Sequence, residues 1–237
     1  MALYDAIAHI YDPWSRSVTE DIDFYVEEAV RSGGPVVELA VGTGRIAVPI
    51  AAADVRVIGV DQSPGMLAVA GAYAVQEGVS ELVDLRVGDL RQPPVPERVP
   101  LVICPFRSLL HLPSEAEKLE ALRAARRLLA PGGALIFDVF EPSPDDIAET
   151  HGRWLEREPG IWERADWDED TRTMTLSVRH GDAAASFTLH WLSTAEWHVL
   201  IDQAGFDVDA LYGWFDRRPH VDEEDTIWIC RRGERPG

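Results

Sequence analysis

Carboxylates and a glycine turn sit at the ends of apolar runs in this sequence, and together they could hold a nucleoside. The stretch PVVELAVGTGR, residues 35–45, carries Glu38 inside an apolar run and then turns through Gly42-Thr43-Gly44. Glycines there let the backbone bend sharply and bring bare N–H groups close to a ligand at a helix N-terminus. Asp61 ends the next apolar run, 19 residues after Gly42, where an acid can take both hydroxyls of a ribose. Asp89 ends a third run and is followed by Leu90, a pairing that suits the amine and the flat face of an adenine. The glycine turn alone also satisfies the dinucleotide pattern, with Ala47 in its last position and Asp61 at the expected offset. A pyrophosphate has no use for Glu38 beside it, whereas a ligand with an ammonium group does. The Tyr-x-x-x-Lys pair of short-chain dehydrogenases cannot form, because Lys118 is the only lysine and Ser114 lies four residues before it.

The elements that must position these residues alternate. PVVELA, VRVIGVD, ELVDLRVGD, VPLVICPF and ALIFDVFEP read as strands. Between them, 44–53, 64–78 and 114–129 read as helices, after an N-terminal helical region over about 18–31. Ser63 is a natural N-cap with Pro64 at the first helical position. Leu119, Leu122, Ala125, Leu128 and Leu129 make one helical stripe, which Pro131-Gly132-Gly133 stops. Apolar strands alternating with helices predict an α/β fold whose mostly parallel sheet is covered on both faces. Past Glu141 the period changes to two: IWERADWDED, TRTMTLSVRHG and AASFTLHWLS read as an antiparallel meander. A helix follows with a capping box, Ser193 to Glu196, and two strands close the chain. The expected organisation is a single domain, 1–237: a helical cover over 1–34, a core over 35–140 and 194–237, and a β insertion or lid over about 141–193.

Composition narrows the partners. The formal net charge is −19. Such a surface repels phosphate backbones and anionic lipids, which speaks against nucleic-acid and membrane partners. Cys104 and Cys230 are too few for a disulfide framework or a zinc site, and no metal site is expected. The start MALYDAIAHIYDPW has neither a basic nor an apolar leader region, and no apolar run approaches a bilayer span, so a cytoplasmic location is expected.

In order and spacing, VVELAVGTGR, VIGVDQSPGML, RVGDLRQ and LLAPGGALIFDVF resemble the class I S-adenosylmethionine-dependent methyltransferases. The resemblance covers most of residues 1–140 plus the closing strands. It implies a Rossmann-like seven-stranded sheet whose last strand runs antiparallel. It also implies S-adenosylmethionine as cofactor and S-adenosylhomocysteine as product. The amino-acid end would lie near Glu38, Ala40, Gly42, Thr43 and Gly44, the ribose on Asp61, and the adenine near Gln62, Met66, Gly88, Asp89 and Leu90. Cys104 and Phe106 count among the cofactor-side residues. Ala40 departs from the family, which often has glycine there.

Methyl transfer to a nucleophile from a sulfonium asks the protein chiefly to align and desolvate. Nucleic-acid amino methyltransferases place an Asn/Asp-Pro-Pro-aromatic motif after the fourth strand, where this chain has Cys104-Pro105-Phe106. The Phe-Arg-Ser-x-x-His-Leu run at 106–112 and the YDPW at 11–14 resemble small-molecule methyltransferases instead. That resemblance makes Tyr11 and His111 the catalytic candidates, with Tyr11 also touching the cofactor. Arg107, His111, Trp191 and Trp214 are the substrate-side candidates; for Arg107 an ion pair with an acid is the competing role, and for the tryptophans a place in the core. The expected reaction is transfer to nitrogen or oxygen of a small-molecule acceptor. A nicotinamide-cofactor oxidoreductase and a catalytically silent S-adenosylmethionine-binding partner are the alternatives. An exposed edge strand in the meander would also let two copies pair.

Overall fold

Glu38 and the other strand-end acids are set by one large sheet. A computed structural model describes residues 19–221 and 225–233; Tyr11 lies outside the described residues. In chain order the strands of this sheet are β1 (Val36–Leu39), β2 (Val57–Asp61), β3 (Val83–Val87), β4 (Val99–Cys104), β5 (Leu129–Phe140), β10 (Phe206–Tyr212) and β11 (Asp225–Arg232). Their spatial order is β10-β11-β5-β4-β1-β2-β3. β1 to β5 run parallel, and β11 is antiparallel to both its neighbours. The last strand of the chain is therefore the reversed one. All four residues of β1 are buried, as a central parallel strand demands.

Helices cover both faces. On one side lie α1 (Glu20–Ser32), α2 (Ala47–Ala52) and α3 (Pro64–Gln76), with Phe24, Tyr25 and Ile50 packed on Val36, Ile103 and Ile136. On the other lie α4 (Glu115–Leu128) and α6 (Thr194–Gln203), with Leu122, Trp197 and Leu200 packed on Val37, Val102 and Phe137. The caps follow the sequence signals. Ser63 Oγ accepts from the Met66 N–H at 3.1 Å, and Ser193 and Glu196 close the capping box. Leu129 belongs to β5 rather than to the helix. The chain leaves α4 one residue before it and bulges through Pro131-Gly132-Gly133, shifting the β4–β5 register between Val99 and Leu101. Lys118 is buried on α4, and its Nζ donates to the Leu112 carbonyl, pinning the short 3₁₀ turn Ser108–His111.

The segment after β5 forms a second, antiparallel sheet in the order β6-β7-β8-β9: β6 (Trp154–Glu158), β7 (Ile161–Asp168), β8 (Thr173–His180) and β9 (Ala183–His190). The three expected meander strands are β7 to β9. β6 and α5 (Pro144–Thr150) were not legible, because Trp154–Glu158 lacks clean alternation and α5 is only about two turns long.

Candidate active site

A cavity of about 440 Å³ opens at the carboxyl ends of β1, β2, β4 and β5 and runs under the second sheet. Its large-sheet wall is built from backbone turned toward carboxylates. Asp61 accepts from the Gly42 N–H at 2.9 Å and from the Ser63 N–H at 2.8 Å, so one side chain ties the glycine turn to the start of α3. Gly42 and Gly44 both have positive φ, and a Cβ on Gly44 would sit 3.2 Å from Ala70 and Val48. Ala40 also has φ +58°, a left-handed conformation that costs an L-residue about 1 kcal/mol.

Glu38, on β1 four residues before Gly42, is 2% exposed and stands behind the cavity walls, and among the described residues its Oε2 has no hydrogen-bond partner. Burial pushes its carboxyl well above the usual carboxylate range; the Arg45 guanidinium pulls the other way, and the Asp21 and Asp61 charges add to the rise. Asp21, from α1, takes Arg45 in a two-pronged ion pair at 2.8 and 2.5 Å. Arg45 in turn lies 4.7 Å over the Phe106 ring.

Asp138, near the end of β5, repeats the Asp61 arrangement. Its two oxygens accept the consecutive N–H groups of Phe106 and Arg107, at 2.8 and 2.9 Å, and the Tyr25 hydroxyl at 2.6 Å. Phe106 and Arg107 both have positive φ, so Asp138 stabilises two strained residues that face the cavity. Burial holds Asp138 up at about 6 despite these bonds. Arg107 pairs with Asp225 at 2.7 Å and lies over the Phe140 ring. His111 faces the cavity against Phe187, with ring centroids 5.3 Å apart, and burial lowers its imidazole to about 4.

Of the candidates read from the sequence, Ala40, Gly42, Asp61, Met66, Phe106, Arg107, His111 and Trp214 all face this cavity. Thr43 and Cys104 are buried behind it, and burial raises the Cys104 thiol. Gln62 is exposed, and Gly88 is packed so closely on Pro94 that a Cβ would overlap it. Asp89 stands apart from the cavity walls. Arg91 binds it at 2.6 Å, keeping its carboxyl below the ordinary range, and Leu90 packs into the core. Trp191 stands behind Trp167, edge to face at 5.6 Å, and it is Trp167 that reaches the cavity. Asp21, Asp138, Trp167 and Asp225 were missed. Asp138 carried the same signal as Glu38, a lone acid inside an apolar strand, here LIFDVF.

The residues present fit a sulfonium nucleoside with an ammonium group. Among the described residues a buried carboxyl oxygen lacks a partner, a strand-end acid borders the cavity, and Met66 supplies an apolar edge. Among the described residues no cluster of His, Cys, Asp or Glu could hold a metal ion, and no helix is long and apolar enough to cross a membrane.

Comparison with known proteins agrees with this geometry. A family model described as a methyltransferase domain matches residues 36–133. A ubiquinone biosynthesis O-methyltransferase of Pseudomonas syringae pv. tomato is 28% identical over 154 residues, 61% of this chain and 63% of that one, so the match spans just under two thirds of the relative's length. The CcbJ methyltransferase of Streptomyces caelestis superposes with a TM-score of 0.80 at 24% identity, over 91% of this chain and 97% of that one. An amino pentose methyltransferase of Micromonospora echinaspora, solved with S-adenosylmethionine bound, superposes with a TM-score of 0.66 at 20% identity, over 98% and 97% of the two chains. The strand order and these superpositions give the chain the fold of S-adenosylmethionine-dependent methyltransferases, and residues 36–133 match a methyltransferase domain.

Proposed function

We propose that this protein transfers a methyl group from S-adenosylmethionine to nitrogen or oxygen of a small molecule. The observation that carries the reading is Glu38, a buried acid whose Oε2 has no partner among the described residues, four residues before the Asp61-clamped Gly42. In the bound state the cofactor supplies an electrophilic methyl on a sulfonium. Glu38 takes the ammonium of its amino-acid end, and Asp61 takes the ribose. Phe106, fixed by Asp138 and Arg45, closes the floor between cofactor and acceptor. The second sheet acts as a lid that excludes water from the transfer.

His111 stays neutral through the physiological range, because its imidazole is held at about 4. It orients the acceptor by a hydrogen bond and is a weak base, so the acceptor enters as an unprotonated nucleophile. Trp214 and Arg107 border the same space. The small-molecule assignment is supported by the size of the cavity and by the relatives, one named for ubiquinone biosynthesis and one for an amino pentose.

Titration calorimetry with S-adenosylmethionine and with NADP tests the assignment. Micromolar binding of the first and none of the second is expected, and the reverse overturns it. Binding without release of S-adenosylhomocysteine across amines, phenols and acids would point to a silent binding partner instead.

A further inference from the structure

We propose that the methyl acceptor is a molecule with an apolar aryl or alkyl body, seated on the inner face of the four-stranded sheet, and not a polyhydroxylated sugar. The inference rests on the methyltransferase reading and names the acceptor class of that site. Side chains along β7, β8 and β9 point alternately to the two faces. Trp167, Met174, Leu176, Phe187 and Leu189 face the cavity, and Leu155 joins them from β6. The opposite face carries the polar set: Thr175 bonds Thr188 at 3.3 Å, Ser177 bonds Ser186 at 3.2 Å, and Arg164 pairs with Asp166 at 2.6 Å. The apolar face of this sheet is therefore turned toward the ligand space.

Several polar groups on the acceptor side are already engaged with neighbours. Arg157 pairs with Glu163 at 2.9 Å and Arg107 with Asp225 at 2.7 Å. Thr150 Oγ1 takes the Trp167 indole N–H at 2.8 Å and donates to the Asp146 carbonyl. A hydroxyl-rich ligand entering here would exchange its water for a largely apolar wall, with His111 able to pair one hydroxyl and most of the others left unpaired. An apolar body loses nothing by the same move and gains affinity with every methylene it buries.

The test is calorimetry on the protein loaded with S-adenosylhomocysteine. Two probe series are used, phenylalkylamines and 4-alkylphenols of increasing chain length, with glucosamine as the hydroxylated control. The expected result is a gradient of about fourfold tighter binding per methylene in at least one series, with no detectable glucosamine binding. Leu155→Asn, at a half-buried position on the edge strand, should flatten the gradient while leaving S-adenosylhomocysteine affinity within twofold. Leu176→Asn provides a second reading of the same wall. A flat gradient in both series, or glucosamine binding as tight as the best probe, overturns the inference. Failure of S-adenosylhomocysteine to bind at all would instead remove the methyltransferase reading.

Discussion

Asp61 and Asp138 each gather two backbone N–H groups at a strand end, whereas Met174, Leu176, Phe187 and Leu189 across the same cavity offer only methyls and rings. The first wall is held by directional, charge-assisted bonds to main chain, so position and residue type are fixed together. The second is held by alternation and packing, which tolerate exchange among apolar side chains of similar volume. A fold built this way keeps one small molecule constant and leaves the other free to change.

The largest test of that contrast is Asp61→Ala. It removes the clamp on Gly42 and Ser63 together with the proposed ribose contact, and cofactor affinity measured by calorimetry should fall about 100-fold or more. Unchanged affinity would place the nucleoside elsewhere. Replacing Leu189 by Ile on the opposite wall should leave that affinity within twofold.

Asp138→Asn probes the second clamp through pH. In the fold Asp138 titrates near 6, above its ordinary 3.8. A raised carboxyl contributes stability that is complete below about pH 4 and lost as pH rises through 6. The wild type should therefore gain on the asparagine variant as pH falls, by about 3 kcal/mol across that window. Urea unfolding at several pH values measures this, and parallel pH profiles for the two proteins would mean that Asp138 does not titrate there.

On the acceptor side, His111→Ala should slow turnover roughly tenfold with cofactor affinity unchanged, as expected of a residue that orients the acceptor alone. Wild-type turnover in the variant would leave His111 as a packing partner of Phe187. The smallest effect belongs to Ala40→Gly. Glycine relieves the positive φ at 40 but frees the unfolded chain, for a net stabilisation of at most about 1 kcal/mol. Thermal melting resolves a shift of that size, and a lowered melting temperature would refute the strain argument.

The large sheet was readable from the sequence because its strands are buried on both faces and appear as continuous apolar runs. Glycine turns and Ser63 or Ser193 caps mark where those runs end. Glu38 and Asp61 stood out as acids that such runs should not contain or should not end on. Asp138 obeyed the same rule inside LIFDVF, yet its partners lie 32 and 113 residues away at Phe106 and Tyr25, and no local pattern announces a pairing across that distance. Asp89 shows the opposite limit. Its place at a strand end was clear, but the ion pairs of Arg91 with Asp89 and Glu117 depend on how a loop meets α4. The alternation of β7 to β9 told which residues share a face. Which face met the cavity, and hence that Trp167 stands in front of Trp191, depended on how the sheet docks.

Lys118 has a practical consequence. It is the sole lysine of the chain, and it is 1% exposed with its ammonium turned onto the Leu112 carbonyl. Acylating reagents that seek ε-amines will find none on the native protein, so side-chain labelling must await opening of α4 against the turn that carries His111. The chain thus contains a single-site chemical reporter of its own unfolding, placed beside the candidate acceptor pocket.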